Sequence, residues 1–445
     1  MEVQGLKIKR LKQGIVSSVL LSLLIGSSGN ALAEEPDLEA EAAILVEAES
    51  GKIVYEDHID VILPPASMTK IMTEFLVHEA VDQGEISWED EVKISDKVRQ
   101  LSLDTSLSNV PLRQDETYTV KELYEAMAIY SANGATIALA EHVAGSEAKF
   151  VERMNAKAEE LGMENYKFVN SSGLNNQSMK GNHPSGTEAD EENMMSARAT
   201  AILTYHLLKN YPEVLDTASI REKTFKEGTE DYIEMQNWNW MLPGSVFAYE
   251  GVDGLKTGFT DLAGNAFTGT VERDGLRYIS VVMRTESREA RFQETAKLFD
   301  YGFDQFSQET VIKEGEQVEG HQTVSVIKGK EDEVSVTAGS DLQVLVEEGQ
   351  EENLTPVVTI NKELLTEEGE LEAPLEKGET IGTIRVEGMT EEDYLHEKMT
   401  SNAEVPLVLE EDVEKAGWFA LSLRGIGSFF GNMWENAATF VRGLF

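Results

Sequence analysis

Apolar and polar positions in the first two thirds of the chain follow two different periods. Apolar runs at 43–48 and 53–55 flank Gly51 and predict a β-hairpin, and further strands are predicted at 251–258, 265–270 and 278–283. Apolar residues at helical spacing predict helices after Ser67 and at 119–131, 135–143, 150–161 and 291–301. Helices and strands interspersed in this way predict an α+β (mixed α/β) domain over residues 34–309, built around an antiparallel sheet.

The pattern changes between residues 310 and 409. Short β-branched runs at 323–327, 334–336, 342–346, 356–360 and 383–386 are separated by clusters of glycine, glutamate and lysine. Such spacing is typical of a small all-β domain. The segment contains no paired histidines and no hydroxyl or carboxylate cluster that indicates chemistry, so we expect a spacer or interaction domain.

Residues 1–33 have the organisation of an export signal. Lys7, Lys9, Arg10 and Lys12 precede an apolar stretch at 15–25, which is too short to span a bilayer. The tripeptide 31–33, Ala-Leu-Ala, fits a cleavage site and predicts a mature chain that starts at Glu34. An uncleaved N-terminal anchor is the alternative.

Residues 410–445 carry an amphipathic pattern. One helical face has mainly aromatic and aliphatic residues between Phe419 and Leu444, and Arg424, Glu435 and Arg442 lie on the opposite face. Glycines and polar interruptions disfavour a spanning helix, so we predict an amphipathic helix that anchors the protein in the membrane surface. A helix packed on the protein itself is the alternative. Together with the export signal, this pattern predicts a location at the outer face of a bacterial cytoplasmic membrane.

Composition excludes several functions. The chain has no cysteine, which rules out disulfides and thiol catalysis, and its net charge of −43 argues against nucleic acid as a partner. Acidity is concentrated at 310–412, with 7 basic and 27 acidic residues, which indicates solvation or, alternatively, a high-salt habitat. The histidines show no zinc-peptidase spacing, and we expect structural roles for His142 and His183.

Three short motifs carry the candidate chemistry. In chain order they are Ser67-Met-Thr-Lys70, Ser131-Ala-Asn133 and Lys256-Thr-Gly258. Pro64-Pro65 ends an extended segment, which places Ser67 in the first turn of the following helix with Lys70 one turn later on the same face. A hydroxyl beside an amine in a partly desolvated cleft is the arrangement of an activated serine nucleophile.

The three motifs and their flanks resemble the serine acyltransferases that bind penicillin. Within that group the chain is similar to the low-molecular-mass penicillin-binding proteins that act as serine-type D-alanyl-D-alanine carboxypeptidases. The matching segments are Pro65-Ala-Ser-Met-Thr-Lys70, Tyr130-Ser-Ala-Asn-Gly-Ala135, Asn170-Ser-Ser-Gly-Leu174, Asp253-Gly-Leu-Lys-Thr-Gly258 and Arg291-Phe-x-Glu. The resemblance extends over the β-rich segment and the terminal anchor. It implies a serine β-lactamase/DD-peptidase-like catalytic fold.

The resemblance also implies catalytic roles. Ser67 would attack the carbonyl between the two terminal D-alanines of a peptidoglycan stem peptide, and Lys70 would accept the proton of Ser67. Lys256 would supply the positive charge that keeps Lys70 neutral. Ser131 would relay a proton to the leaving amine, and Asn133 would hold the substrate amide and orient Lys70.

Substrate binding is implied for the third motif and its surroundings. The oxyanion would lie between the backbone N–H groups of Ser67 and Phe259. Thr257 and Arg291 would hold the terminal carboxylate of the substrate, next to Lys256 and Gly258 on the same strand. Neither a metal nor an organic cofactor is expected.

Two other functions remain open at this stage. A β-lactamase or transpeptidase would use the same acyl-serine chemistry, and a catalytically inactive wall-binding protein would keep the fold alone. Ala132 replaces the aspartate common in class A β-lactamases, and no counterpart of their deacylating glutamate motif is evident. These departures favour inhibition by β-lactams, as covalent ligands, over their rapid hydrolysis.

Overall fold

The structure is a computed structural model that describes residues 35–348, 354–387, 394–396 and 404–417. The predicted export signal at 1–33 and the apolar helix face from Phe419 onward lie outside the described residues. No helix in the described part of the chain is both long enough and apolar enough to cross a bilayer.

The helices and strands follow in chain order. The helices are α1 (Lys70–Asp82), α2 (Asp96–Ser102), α3 (Val120–Tyr130), α4 (Asn133–Ala144), α5 (Glu147–Glu160), α6 (Ala197–Asn210), α7 (Val214–Ala218) and α8 (Ala290–Gln305). The strands of the first part are β1 (Ala42–Glu47), β2 (Ile53–Asp57), β3 (Glu91–Val92), β4 (Tyr118–Thr119), β5 (Tyr166–Lys167), β6 (Met194–Met195), β7 (Glu222–Phe225), β8 (Ile233–Gln236), β9 (Val252–Thr260), β10 (Gly264–Arg273) and β11 (Leu276–Thr285). Those of the second part are β12 (Phe306–Ile312), β13 (Thr323–Ile327), β14 (Glu333–Ala338), β15 (Leu342–Glu347), β16 (Thr355–Ile360), β17 (Leu371–Glu372), β18 (Thr380–Glu387) and β19 (Glu404–Leu409).

A five-stranded antiparallel sheet, in the order β2-β1-β11-β10-β9, is the centre of the first part. Every residue of β1 is buried because helices cover both faces of the sheet. Alternate side chains of β1 therefore enter two different cores. Ile44 and Val46 belong to the core on the side of α1 and α6, and Ala43 and Leu45 belong to the core on the side of α8.

Helix α1 lies in the interior of the helical part. It packs against α3, α4, α5 and α6, and its side chains are apolar around most of its circumference, with Ile71, Phe75 and Val77 all buried. A helix enclosed in this way also buries the few polar side chains that it carries. Among these are Lys70, Glu74 and His78, which follow one another at four-residue intervals on one face.

The second part has its own all-β core. Six strands pair in the order β16-β18-β19-β14-β13-β17, and β12 pairs separately with β15. Val334, Ile384 and Leu407 are among the residues that fill a core distinct from both cores of the first part. The predicted α+β domain with an antiparallel sheet and the predicted all-β domain are both confirmed. Strand β12 runs across residues 309 and 310, and the domain boundary placed there stays a prediction.

Candidate active site

Ser67 lies on a short turn at the entrance to α1. The residues Ala66–Thr69 form a 3-10 helix, closed by a hydrogen bond from the Met68 N–H to the Pro65 carbonyl at 3.1 Å. Lys70 is the first residue of α1, and Ser67 is partly exposed, whereas Lys70 is buried. The sequence predicts the first turn of a helix at Ser67, and the structure confirms this as a 3-10 turn that leads directly into α1.

Two glycines allow other backbone segments to approach this turn closely. A Cβ atom at Gly173, which has φ +80°, would lie 1.8 Å from the Ala66 carbonyl oxygen. A Cβ atom at Gly258 on β9 would lie 2.5 Å from the Pro65 carbonyl oxygen. Only glycine fits at either position. The Ser67 turn is therefore held between the loop at 170–174 and the strand that carries the third motif.

The Lys70 amine is held by three oxygen acceptors. Its Nζ atom donates to Ser67 Oγ at 3.0 Å, to Asn133 Oδ1 at 2.8 Å and to the Ser172 carbonyl oxygen at 2.6 Å. These acceptors belong to the Ser67 turn, to α4 and to the loop at 170–174, and together they hold the Lys70 nitrogen beside the serine hydroxyl. In the neutral amine the two N–H groups still donate to Asn133 Oδ1 and the Ser172 carbonyl, and the lone pair faces the Ser67 hydroxyl, whose proton it can accept.

Electrostatics favour a neutral Lys70. Burial lowers the pKa of Lys70 well below its usual value, the charge of Lys256 lowers it further, and Glu74 opposes both effects. Burial likewise lowers the pKa of Lys256 to about 8, with Glu74 opposing and Arg291 contributing to the decrease. Two enclosed ammonium groups cannot easily be charged together. One of them can therefore act as a base near neutral pH while the other keeps its charge.

The second motif connects α3 to α4. Ser131 adopts the left-handed conformation, with φ 59°, and its buried Oγ atom has no hydrogen-bond partner among the described residues. Asn133 begins α4 and is fixed by two bonds to the Ser108 carbonyl, from its backbone N–H at 2.9 Å and from Nδ2 at 3.1 Å. The Asn133 amide oxygen is thereby directed at Lys70. Ser131, two residues earlier at the end of α3, has a hydroxyl without a hydrogen bond in the described residues.

The third motif lies on β9 at the edge of the sheet. Lys256 and Thr257 are buried, whereas the Phe259 side chain is 48% exposed and its ring lies under the guanidinium of Arg288. Arg291 on α8 is buried next to β9, where its Nη1 donates to the carbonyl oxygens of Gly258 at 3.3 Å and Ala266 at 3.5 Å. Arg291 thus supports the strand from within, and its direct contact with a substrate carboxylate stays a prediction.

The structure brings Ser67, Lys70 and Asn133 into direct contact, and Lys256 acts on Lys70 from β9. It also adds residues to the site. The sequence pattern assigns no role to the Ser172 carbonyl, Gly173 or Glu74, and the segment 170–174 carries only the family resemblance. Glu74 stands four residues after Lys70, a spacing that places both on one helix face. Within the described residues, no cluster of histidine, aspartate and glutamate is arranged to hold a metal ion.

Known proteins are similar to this chain over most of its length. The family model described as D-alanyl-D-alanine carboxypeptidase matches residues 30–287, and the model described as Penicillin-binding protein 5, C-terminal domain matches residues 306–415. D-alanyl-D-alanine carboxypeptidase DacF of Bacillus subtilis is 32% identical over 393 residues, which cover 88% of this chain and 90% of that protein.

Solved protein structures are also similar to this chain in architecture. A peptidoglycan synthesis regulatory factor (PBP3) from Streptococcus pneumoniae aligns with a TM-score of 0.77 and 35% identity, covering 85% of this chain and all of that one. Penicillin-binding protein D2 from Listeria monocytogenes, crystallised in an ampicillin-bound form, aligns with a TM-score of 0.51 and 35% identity over 61% of this chain and 99% of that one.

Proposed function

The chain belongs to the D-alanyl-D-alanine carboxypeptidase family and is a serine-type enzyme of that activity, and we propose that Ser67, Lys70, Ser131, Asn133 and Lys256 carry out its reaction. The observation that carries the assignment of residues is the contact of the Lys70 amine with both Ser67 Oγ and Asn133 Oδ1. The substrate is a peptidoglycan stem peptide that ends in D-Ala-D-Ala.

Acylation begins at Ser67. Its Oγ attacks the carbonyl between the two D-alanines, and the neutral Lys70 amine takes the proton. The oxyanion is stabilised by the backbone N–H groups of Ser67 and Phe259. The Thr257 hydroxyl, the Lys256 ammonium group and the Arg291 guanidinium hold the terminal carboxylate. Arg291 also donates to the Gly258 carbonyl of the same strand.

The leaving amine needs a proton donor, and the water that later attacks the acyl-enzyme needs a base. The Ser131 hydroxyl passes a proton from Lys70 to the departing D-alanine. This role is supported by the absence of a competing hydrogen bond to its oxygen in the described residues. Asn133 holds the substrate amide through its side chain. Water then attacks the acyl-Ser67 ester and Lys70 accepts its proton. As the bond between the acyl carbon and Ser67 Oγ breaks, Lys70 returns this proton to Ser67 Oγ, and the shortened peptide leaves.

We further infer that β-lactams acylate Ser67 and remain attached, as covalent inhibitors. We also infer that the mature enzyme is exported and held at the outer face of the cytoplasmic membrane by the amphipathic segment at 410–445. The sequence pattern at each terminus supports this location. Loss of membrane association on deletion of residues 417–445 is the expected result in a vesicle-pelleting assay.

The assignment is tested by labelling with a fluorescent penicillin, mass spectrometry of the adduct and D-alanine release from a D-Ala-D-Ala peptide. The wild type is expected to label at Ser67 and release D-alanine. Ser67→Ala is expected to do neither, and the exposed Ser219→Ala serves as the matched control. Rapid turnover of penicillin without D-alanine release would instead indicate a β-lactamase. No labelling of the wild type would indicate an inactive binding protein.

A further inference from the structure

Glu74 is a buried carboxyl group that the reaction scheme leaves without a role. It lies on α1 one turn after Lys70 and is only 1% exposed. Its Oε2 atom has no hydrogen-bond partner in the part of the chain that the structure describes. An enclosed carboxyl group without bonds to its oxygen is costly, so its presence needs a physical reason.

A second buried glutamate shows what a structural carboxyl group looks like in this protein. Glu147 at the start of α5 accepts bonds from the Ser171 N–H at 3.2 Å, from Ser171 Oγ at 2.8 Å and from Lys97 Nζ at 3.2 Å. Its bonds connect α5 to the 170–174 loop. Glu74 has no comparable set, so hydrogen bonding does not account for its position.

The surroundings of Glu74 are rich in groups that titrate. On its own helix it is next to Lys70 and one turn before His78, and from β9 Lys256 acts on it. On α3, burial raises the pKa of Tyr124, and the negative charges of Glu74 and Glu213 raise it further. Glu213 also contacts His78 at 3.2 Å.

The positive groups on the neighbouring helices have other partners. Lys157 on α5 forms an ion pair with Glu79 on α1. Burial lowers the pKa of Lys256, and the charge of Arg291 on α8 lowers it further. Strand β9 packs against the turn that leads into α1, where a Cβ atom at Gly258 would lie 2.5 Å from the Pro65 carbonyl oxygen. Lys256 on this strand and Lys70 on α1 are the positive charges that act on Glu74 among the described residues.

These charges are interdependent. Burial raises the pKa of Glu74 to about 7, and the positive charges of Lys256 and Lys70 limit the increase. The negative charge of Glu74 in turn raises the pKa of both lysines. The three groups titrate as one set, so removing the charge of Glu74 changes the ionisation of both lysines.

We propose that Glu74 is a positioning residue for the acylation of Ser67: its enclosed carboxylate keeps Lys256 protonated at the pH where Lys70 acts as the base. The inference rests on the proposed function of Ser67, Lys70 and Lys256. Glu74 touches neither substrate nor the reacting atoms. It acts through the charge of the lysine that binds the substrate carboxylate.

The proposal predicts an asymmetric change in the pH profile of Glu74→Gln. The alkaline limb of the acylation rate constant should move about one unit to lower pH, because Lys256 loses its counter-charge where Glu74 is ionised in the wild type. The acid limb should move less, because Glu74 is already largely protonated there. The substitution keeps shape and volume, and Oε2 has no bond to lose.

The measurement is the second-order rate constant of acylation by a fluorescent penicillin between pH 5 and 10. The penicillin carboxylate stays ionised throughout this range. Glu79→Gln is the matched control, since it makes the same change on the same helix but removes a contact with Lys157 instead. Its profile should coincide with that of the wild type. Thermal unfolding of each variant establishes that it is folded.

A Glu74→Gln enzyme with a uniformly lower rate and unmoved limbs would contradict the proposal and indicate a structural role. Glu74→Asp keeps the charge at a greater distance from the lysines. It should shift the alkaline limb in the same direction by a smaller amount, and it decides the question if Glu74→Gln does not fold. A wild type that is not acylated at Ser67 would contradict the proposed function itself, an outcome distinct from an unmoved profile.

Discussion

The two parts of the molecule bury different kinds of side chain. Around the five-stranded sheet, the interior includes charged groups such as Lys70, Glu74, Lys256 and Arg291. In the β-rich part, between residues 306 and 416, Thr337 is the only polar side chain buried among the described residues. There the acidic residues remain at the surface, and the core consists of valine, leucine, isoleucine and alanine.

This difference means that the buried side chains of the β-rich part contribute to stability, whereas those of the first part also serve the chemistry of the site. Apolar burial stabilises a fold, whereas enclosed charges cost free energy unless they are well paired. In the catalytic part the cost produces a neutral amine and a charged ammonium group in the same cleft, which water would not permit. The β-rich part contains no such cost in its described core. Substitutions of buried residues in each of the two parts test this interpretation.

Replacing Lys256 by methionine should produce the largest effect. Acylation by penicillin should fall by about 10²–10⁴-fold, because the charge that acts on substrate and on Lys70 is lost. The free energy of unfolding at pH 7 should rise by roughly 1–3 kcal/mol, because a buried ammonium group with one long hydrogen bond, at 3.3 Å to the Thr257 carbonyl, is removed. Acylation kinetics and denaturant unfolding measure the two effects.

The stability gain of Lys256→Met should depend on pH in a defined direction. Burial lowers the pKa of native Lys256 to about 8 from 10.5, so the penalty is complete below pH 8 and disappears between these values as the native lysine deprotonates first. The gain should therefore shrink above pH 8. Exposed Lys121→Met is the control and should change neither quantity. A loss of stability at pH 7 in Lys256→Met would refute the cost assigned to the buried charge.

Gly173→Ala should disrupt the catalytic part next. The added Cβ atom would lie 1.8 Å from the Ala66 carbonyl oxygen, so the Ser67 turn or the 170–174 loop must move. We expect a loss of more than about 4 kcal/mol in unfolding free energy, or no folded protein, and loss of acylation in whatever folds. Gly228→Ala has a similar φ of +82° with no atom within 4 Å of the added Cβ, and should cost only about 1 kcal/mol. Equal losses of unfolding free energy in the two variants would show that the positive φ angle, rather than the close contact with Ala66, determines the cost.

Leu407→Ala tests the β-rich core and should have the smallest effect of the three on acylation. Leu407 is fully buried on β19, and its truncation should cost about 2–4 kcal/mol in unfolding free energy. Val408 on the same strand is only half-buried, so Val408→Ala should cost less. Acylation rates of folded Leu407→Ala protein should equal those of the wild type. A reduced acylation rate would mean that the core of the β-rich part supports the active site.

The sequence by itself determined the local elements and the chemistry-bearing motifs. The β1–β2 hairpin, α3, α4 and α8 follow from hydrophobic period and turn residues, which act within a few residues of each other. The contact of Lys70 with Ser67 follows from their spacing near the start of one helix. The export signal at 1–33 and the amphipathic membrane anchor at 410–445 stay predictions.

Only the tertiary structure decided how these motifs act together. The Ser172 carbonyl meets Lys70 across 102 positions of sequence, and Lys256 influences Lys70 from a different element. The pKa of each lysine depends on how completely the surrounding helices and strands exclude water, which no local pattern encodes. Glu74 illustrates the same limit: four residues after Lys70 it could have been a solvated side chain, and the packing of α1 in the interior made it a buried charge.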